Sequence, residues 1–76
     1  MARNRKTKPE EKIGRSLARL RVARAESISG LALASGVAED RLMSAETGAL
    51  RLTPEEIIAI CKALDVKPSQ LMGETD

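Results

Sequence analysis

Residues 28–47 read Ile-Ser-Gly-Leu-Ala-Leu-Ala-Ser-Gly-Val-Ala-Glu-Asp-Arg-Leu-Met-Ser-Ala-Glu-Thr, and this stretch decides the fold. Ser27, just before it, is an N-cap residue for a helix over about 28–35, because its hydroxyl can accept from an unpaired first-turn amide. Gly30 stands where a capping box would place Glu or Gln, so no box is expected. Gly36 ends this helix, since glycine takes positive φ without a steric penalty. The next helix runs from about Glu39 to Thr47 with Leu42 and Ala45 inward, and Gly48 stops it. Ala32 is small where the two helices must cross closely. Leu31, Val37, Leu42 and Ala45 then close a wedge against a further segment. Ala32, Gly36, Val37, Leu42 and Ala45 hold the offsets of a helix-turn-helix.

Working outward, the same periodicity predicts three more helices. Pro9 suits a first helical position, and Glu10 and Glu11 favour the positive end of that helix. Ile13, Leu17 and Leu20 recur at i, i+4 and i+7 as its inward stripe, while Arg15, Arg19 and Val22 face away. Arg21 and Arg24 fall in its last turn. Thr53-Pro54-Glu55-Glu56 combines a cap, a first-turn proline and a capping-box glutamate, so a fourth helix starts there with Ile57, Ile60, Cys61 and Leu64 inward. Val66 leads to Pro68, which opens a short fifth helix carrying Leu71 and Met72. Five short helices with brief connections leave no room for a sheet, so the class is all-α. Residues 1–8 lack apolar periodicity and read as a flexible basic arm; residues 9–76 form one domain.

Composition narrows what such a domain does. The chain has 76 residues, 42% of them hydrophobic and 32% charged, a balance that supports one modest core. It has no Phe, Tyr or Trp, which excludes single-strand binders that stack bases on aromatic rings. Cys61 is the lone cysteine and there is no histidine, so disulfides, zinc sites and Cys-His nucleophiles are set aside. Glu39-Asp40-Arg41 are adjacent helical residues that fan apart instead of converging, so no enzyme and no cofactor is expected. No apolar h-region follows the basic start and no run approaches the ~20 residues of a membrane span, which makes the cytoplasm the simple expectation. Residues 1–24 hold nine Lys or Arg against two Glu, whereas residues 25–76 hold four basic and nine acidic side chains. A polyanion partner suits that basic end; a solvated tail is the plainer alternative.

On these residues the chain resembles the Cro/C1 (XRE-type) family of phage and bacterial transcriptional regulators. The resemblance spans about residues 13–72 and includes Ile13-Gly14, Leu20-Arg21, the Ala32/Gly36/Val37 turn, Glu46-x-Gly48 and Ala63 through Leu71. It implies a compact five-helix lambda-repressor-like bundle that binds double-stranded DNA as a homodimer, with the third helix in the major groove. It implies base-reading positions at Glu39, Asp40 and Ser44. Phosphate contacts would fall to Ser27, Ile28, Thr47 and Arg51, with Arg3, Arg5, Lys6 and Lys8 as a basic arm along the duplex. It further implies an ion pair between Arg21 and Glu46 and dimer-interface candidates at Leu71 and Met72.

Three features depart from the family's pattern. Relatives usually carry Gln where Ile28 stands, and polar or basic residues where Glu39 and Asp40 stand. Leu50 follows the third helix at a place that is often basic. A carboxylate can accept from cytosine N4, but two of them oppose attraction to the phosphates. Ile28, Leu33 and Leu50 suggest the alternative use of the same fold: a protein-interaction module, such as an antirepressor, anti-activator or regulator subunit, acting through an acidic and apolar face.

Overall fold

The computed structural model describes residues 9–72, with side chains from Glu11 onward. Its described residues form α1 (Pro9–Ala23), α2 (Ile28–Ser35), α3 (Glu39–Glu46), α4 (Pro54–Leu64) and α5 (Pro68–Leu71), with no strand among them. The expected all-α five-helix architecture is what is found, with α3 closing at Glu46 and Thr47 as its C-cap. The basic arm, residues 1–8, and residues 73–76 lie outside the described residues. No described helix is long and apolar enough to cross a membrane.

The turn between α2 and α3 forms for reasons visible in its atoms. Ser27 is extended (φ −81°, ψ 164°) and its Oγ accepts from the Gly30 amide at 2.9 Å. Gly36 adopts φ 79°, ψ 8°, and its amide donates to the Ala32 carbonyl at 2.8 Å. Ser35 then joins the two sides of the turn: its hydroxyl donates to the Leu31 carbonyl at 2.7 Å and accepts from the Val37 amide at 3.2 Å. Val37 thereby enters the core, where it is buried.

The other helix ends follow similar rules. At α4 the capping box is complete, with Thr53 Oγ1 accepting from the Glu56 amide at 3.1 Å and Glu56 Oε1 accepting from the Thr53 amide at 2.9 Å. Two C-termini close without glycine. Ala25 has φ 56°, with the Glu26 amide donating to the Arg21 carbonyl at 3.0 Å. Asp65 has φ 59°, with the Val66 amide donating to the Cys61 carbonyl at 3.0 Å. Both are the six-to-one closure that usually employs glycine at the left-handed position.

Packing positions the recognition elements. α1 lies against α3 and α5, α2 against α3 and α4, and α4 against α5. Leu17, Leu31, Leu42, Ile60 and Leu71 are fully buried at the centre, joined by Val37, Ala45, Leu52, Cys61 and Leu64. Ile13, Leu20 and Ile57 pack at the rim of this cluster. Leu52 carries no helical periodicity, being a single apolar residue in the connection before α4, and sequence reading missed it. Truncating a central side chain such as Leu42 to alanine costs about 2–5 kcal/mol, a large share of a small domain's stability. The register of α3 is therefore tightly specified by its inner face.

Candidate nucleic-acid interface

Leu42 and Ala45 anchor α3 in the core, and its two flanks are held by ion pairs. On one flank Arg21 of α1 grips Glu46: Nε donates to Oε2 at 2.6 Å and Nη2 to Oε1 at 3.1 Å. The remaining arm of the guanidinium, Nη1, donates to the Glu26 carbonyl at 2.9 Å. Arg21 thus ties α1, the connection to α2, and the end of α3 into one unit. The Glu46 hydrogen bond pushes the guanidinium pKa upward, against the opposing effect of burial. The two side chains are 18% and 13% exposed, enough to keep solvent at the rim of the pair.

On the other flank Arg41 reaches α4. Its Nη2 donates to Glu56 Oε1 at 2.8 Å, and Nε donates to Oε2. Glu56 is also the capping-box carboxylate of α4, so one side chain caps that helix and orients α3. The hydrogen bond from Arg41 holds the Glu56 carboxyl below its ordinary value; burial opposes this and the Thr53 amide assists it. Sequence reading took Glu56 as a cap alone. The partnership joins residues on separate helices, and no local spacing signals it.

These pairings decide which charges α3 presents outward. Arg41 and Glu46 are occupied, which leaves Glu39 and Asp40, both exposed in the first turn. Ala38 provides no side-chain cap there, so carboxylates at this end also favour the helix through its dipole. Ser44 is half-buried and Thr47 exposed. The Thr47 hydroxyl donates to the Ser44 carbonyl at 2.9 Å, so its proton is turned back into α3 and its lone pairs face out. Phosphate oxygens need donors, and in this rotamer Thr47 is not one.

The remaining predicted positions are spread around α3. Ser27 is exposed, with its hydroxyl proton available beyond the cap it makes. Ile28 packs against the core, so of its groups the amide in the first turn of α2 suits an anion better than the side chain. Arg51 is exposed and joins neither of the two ion pairs among the described residues. Arg3, Arg5, Lys6 and Lys8 fall outside the described residues. Leu50 also packs against the core, so Ile28 and Leu50 are each partly buried, and of the three Leu33 is the exposed one, at 88%. Beside Leu33 runs a shallow, largely apolar groove lined by Ser29, Ala32, Gly36, Val37 and Ala38, with Glu39 at its edge toward α3. As a dimer-interface candidate Leu71 is corrected, because it is fully buried within its own fold; Met72 keeps 44% of its surface exposed. Ile58 on α4, half-exposed, went unassigned in the sequence because it interrupts an otherwise inward stripe. No group of three or more metal-ligating side chains occurs among the described residues.

No protein-family model matches the chain, and no curated protein does. Solved structures do match. The chain is similar to the restriction-modification controller protein C.AhdI from Aeromonas hydrophila, with a TM-score of 0.79 and 31% sequence identity over 82% of this chain and 94% of that one. It is also similar to the clp gene regulator ClgR from C. glutamicum, with a TM-score of 0.84 and 23% identity over 92% of this chain and 90% of that one. The second likeness is one of fold.

Proposed function

This chain belongs to the Cro/C1-type helix-turn-helix family of regulators, and from that membership we propose that it regulates transcription by sequence-specific binding of duplex DNA. The observation that carries the reading is how α3 is held. Its inner face is buried, its flanks are clamped to α1 and α4, and Glu39, Asp40, Met43 and Thr47 on its outer side are exposed. A reading helix needs this rigidity, since base contacts tolerate little misplacement.

In this reading α3 enters the major groove with Glu39, Asp40 and Ser44 toward base edges. The carboxylates accept from cytosine N4, and the Ser44 hydroxyl serves either a donor or an acceptor. Ser27, the amides at the start of α2, Arg51 and the arm residues Arg3, Arg5, Lys6 and Lys8 contact phosphates. Thr47 joins them once its hydroxyl rotates away from the Ser44 carbonyl. The arm and Arg51 offset the repulsion that Glu39 and Asp40 exert on the backbone, so affinity and specificity sit on different parts of the molecule. The protein works in the cytoplasm as a homodimer, with Met72 and Ile58 at the seam, on half-sites about 10 base pairs apart.

Selection from a random-sequence duplex library tests this. A consensus with two-fold symmetry should emerge, and Asp40→Asn or Ser44→Ala should change the bases recovered. Reversing the four arm charges should instead weaken all duplexes alike. A library that yields no enriched duplex sinks the proposal. A second reading, a protein partner on α2, draws on the exposure of Leu33 beside its groove. It predicts that Leu33→Ala, which removes the apolar side chain without adding charge, weakens partner capture, whereas DNA binding alone leaves that variant's duplex affinity nearly unchanged.

A further inference from the structure

Met43 is 53% exposed in the middle of α3, and nothing described above employs it. Leu42 and Ala45 set the inward direction of the helix, both being buried. At about 100° per residue, Asp40 and Thr47 lie opposite that direction, with Ser44 about 50° to one side and Met43 about 50° to the other. Met43 therefore occupies the outer face as centrally as Ser44 does, and it is the more exposed of the two. Glu39 lies one turn before it and Thr47 one turn after. Arg41 is turned to Glu56 and Glu46 to Arg21, so neither charged flank of α3 reaches over it.

Resting on the reading that α3 enters the major groove, we propose that Met43 reads a thymine by closing its thioether chain over the C5-methyl group. That methyl is the major groove's distinctive apolar feature, and apolar side chains recognise it by contact. The carboxylates of Glu39 and Asp40 face the opposite requirement, since thymine O4 is an acceptor and offers them no proton. The outer face of α3 thus divides its work: carboxylates take cytosine N4, and Met43 takes thymine. Burial against a methyl also removes from water a flexible apolar chain that the free protein leaves exposed.

The test uses the full chain and a duplex recovered from the random-sequence library, with each thymine replaced in turn by uracil so that only the methyl is lost. At one thymine per half-site the wild type should weaken about fourfold, the factor carried by one buried methyl group. Met43→Ala should bind the thymine duplex about fourfold more weakly than wild type and show no further loss with uracil. Met43→Leu, which keeps an apolar contact, should regain sensitivity to the replacement. The exposed position makes both variants compatible with folding, and a thermal melt checks this. The proposal is overturned if no single replacement affects the wild type, or if Met43→Ala remains as sensitive as wild type. Failure of DNA binding itself looks different: no duplex is recovered at all, and the proposal goes with it.

Discussion

Gly14 has no side chain because α1 and α3 leave no room for one: a Cβ there would run into the Ala45 carbonyl, with the Glu46 carbonyl 3.0 Å away. Backbone cannot step aside as a long side chain can, so Gly14→Ala should force the two helices apart. A loss of about 1–3 kcal/mol is expected, read as a lower denaturant midpoint. Arg21→Met removes three hydrogen bonds and leaves Glu46 without its partner. The pair is neither fully exposed nor sealed, so the expected loss is again about 1–3 kcal/mol. A melt of Arg21→Met at unchanged temperature would show that the clamp contributes nothing. At this scale the sequence was partly informative. The Arg21–Glu46 pair followed from family resemblance, but the third contact, to the Glu26 carbonyl, depends on how α1 ends.

Helix starts were more legible than helix ends. Ser27 and the Thr53 box announced α2 and α4 because a cap is local chemistry written in consecutive residues. The ends at Ala25 and Asp65 were not legible, because the left-handed position is filled there by side-chain-bearing residues. An L-residue in that conformation is strained by about 1 kcal/mol, so Ala25→Gly should raise the melting temperature, whereas a lowered one would contradict the strain. The junction of α3 and α4 carries a pH dependence. Glu56 has a folded-state pKa below its ordinary 4.5, so its contribution is complete above that value and is lost as pH falls through the depressed one. Melting temperatures should therefore drop on acidification below about pH 4.5 more steeply for wild type than for Glu56→Gln. Parallel curves would remove Glu56 from the acid limb.

For the whole molecule, the positive charge is concentrated toward residues 1–24 while α3 presents Glu39 and Asp40. The turn at Gly36, and with it the bundle, could be read from spacing because a tight crossing restricts which residues fit. The outer face could be read only in part. Occupation of Arg41 by Glu56, the inward hydroxyl of Thr47 and the exposure of Met43 all arise where separate elements meet or turn outward. In the proposed function, phosphate contacts from the arm and Arg51 bring an acidic reading helix onto duplex DNA. The most direct measurement is the affinity for a library-selected duplex across salt concentrations, for wild type and for the variant with Arg3, Arg5, Lys6 and Lys8 reversed. Each phosphate contact adds about −0.9 to the slope of log affinity against log salt. The wild type should show a steep negative slope, and the variant a slope shallower by as much as about 3.6. A slope near zero, or one that the arm reversal leaves unchanged, would contradict the account.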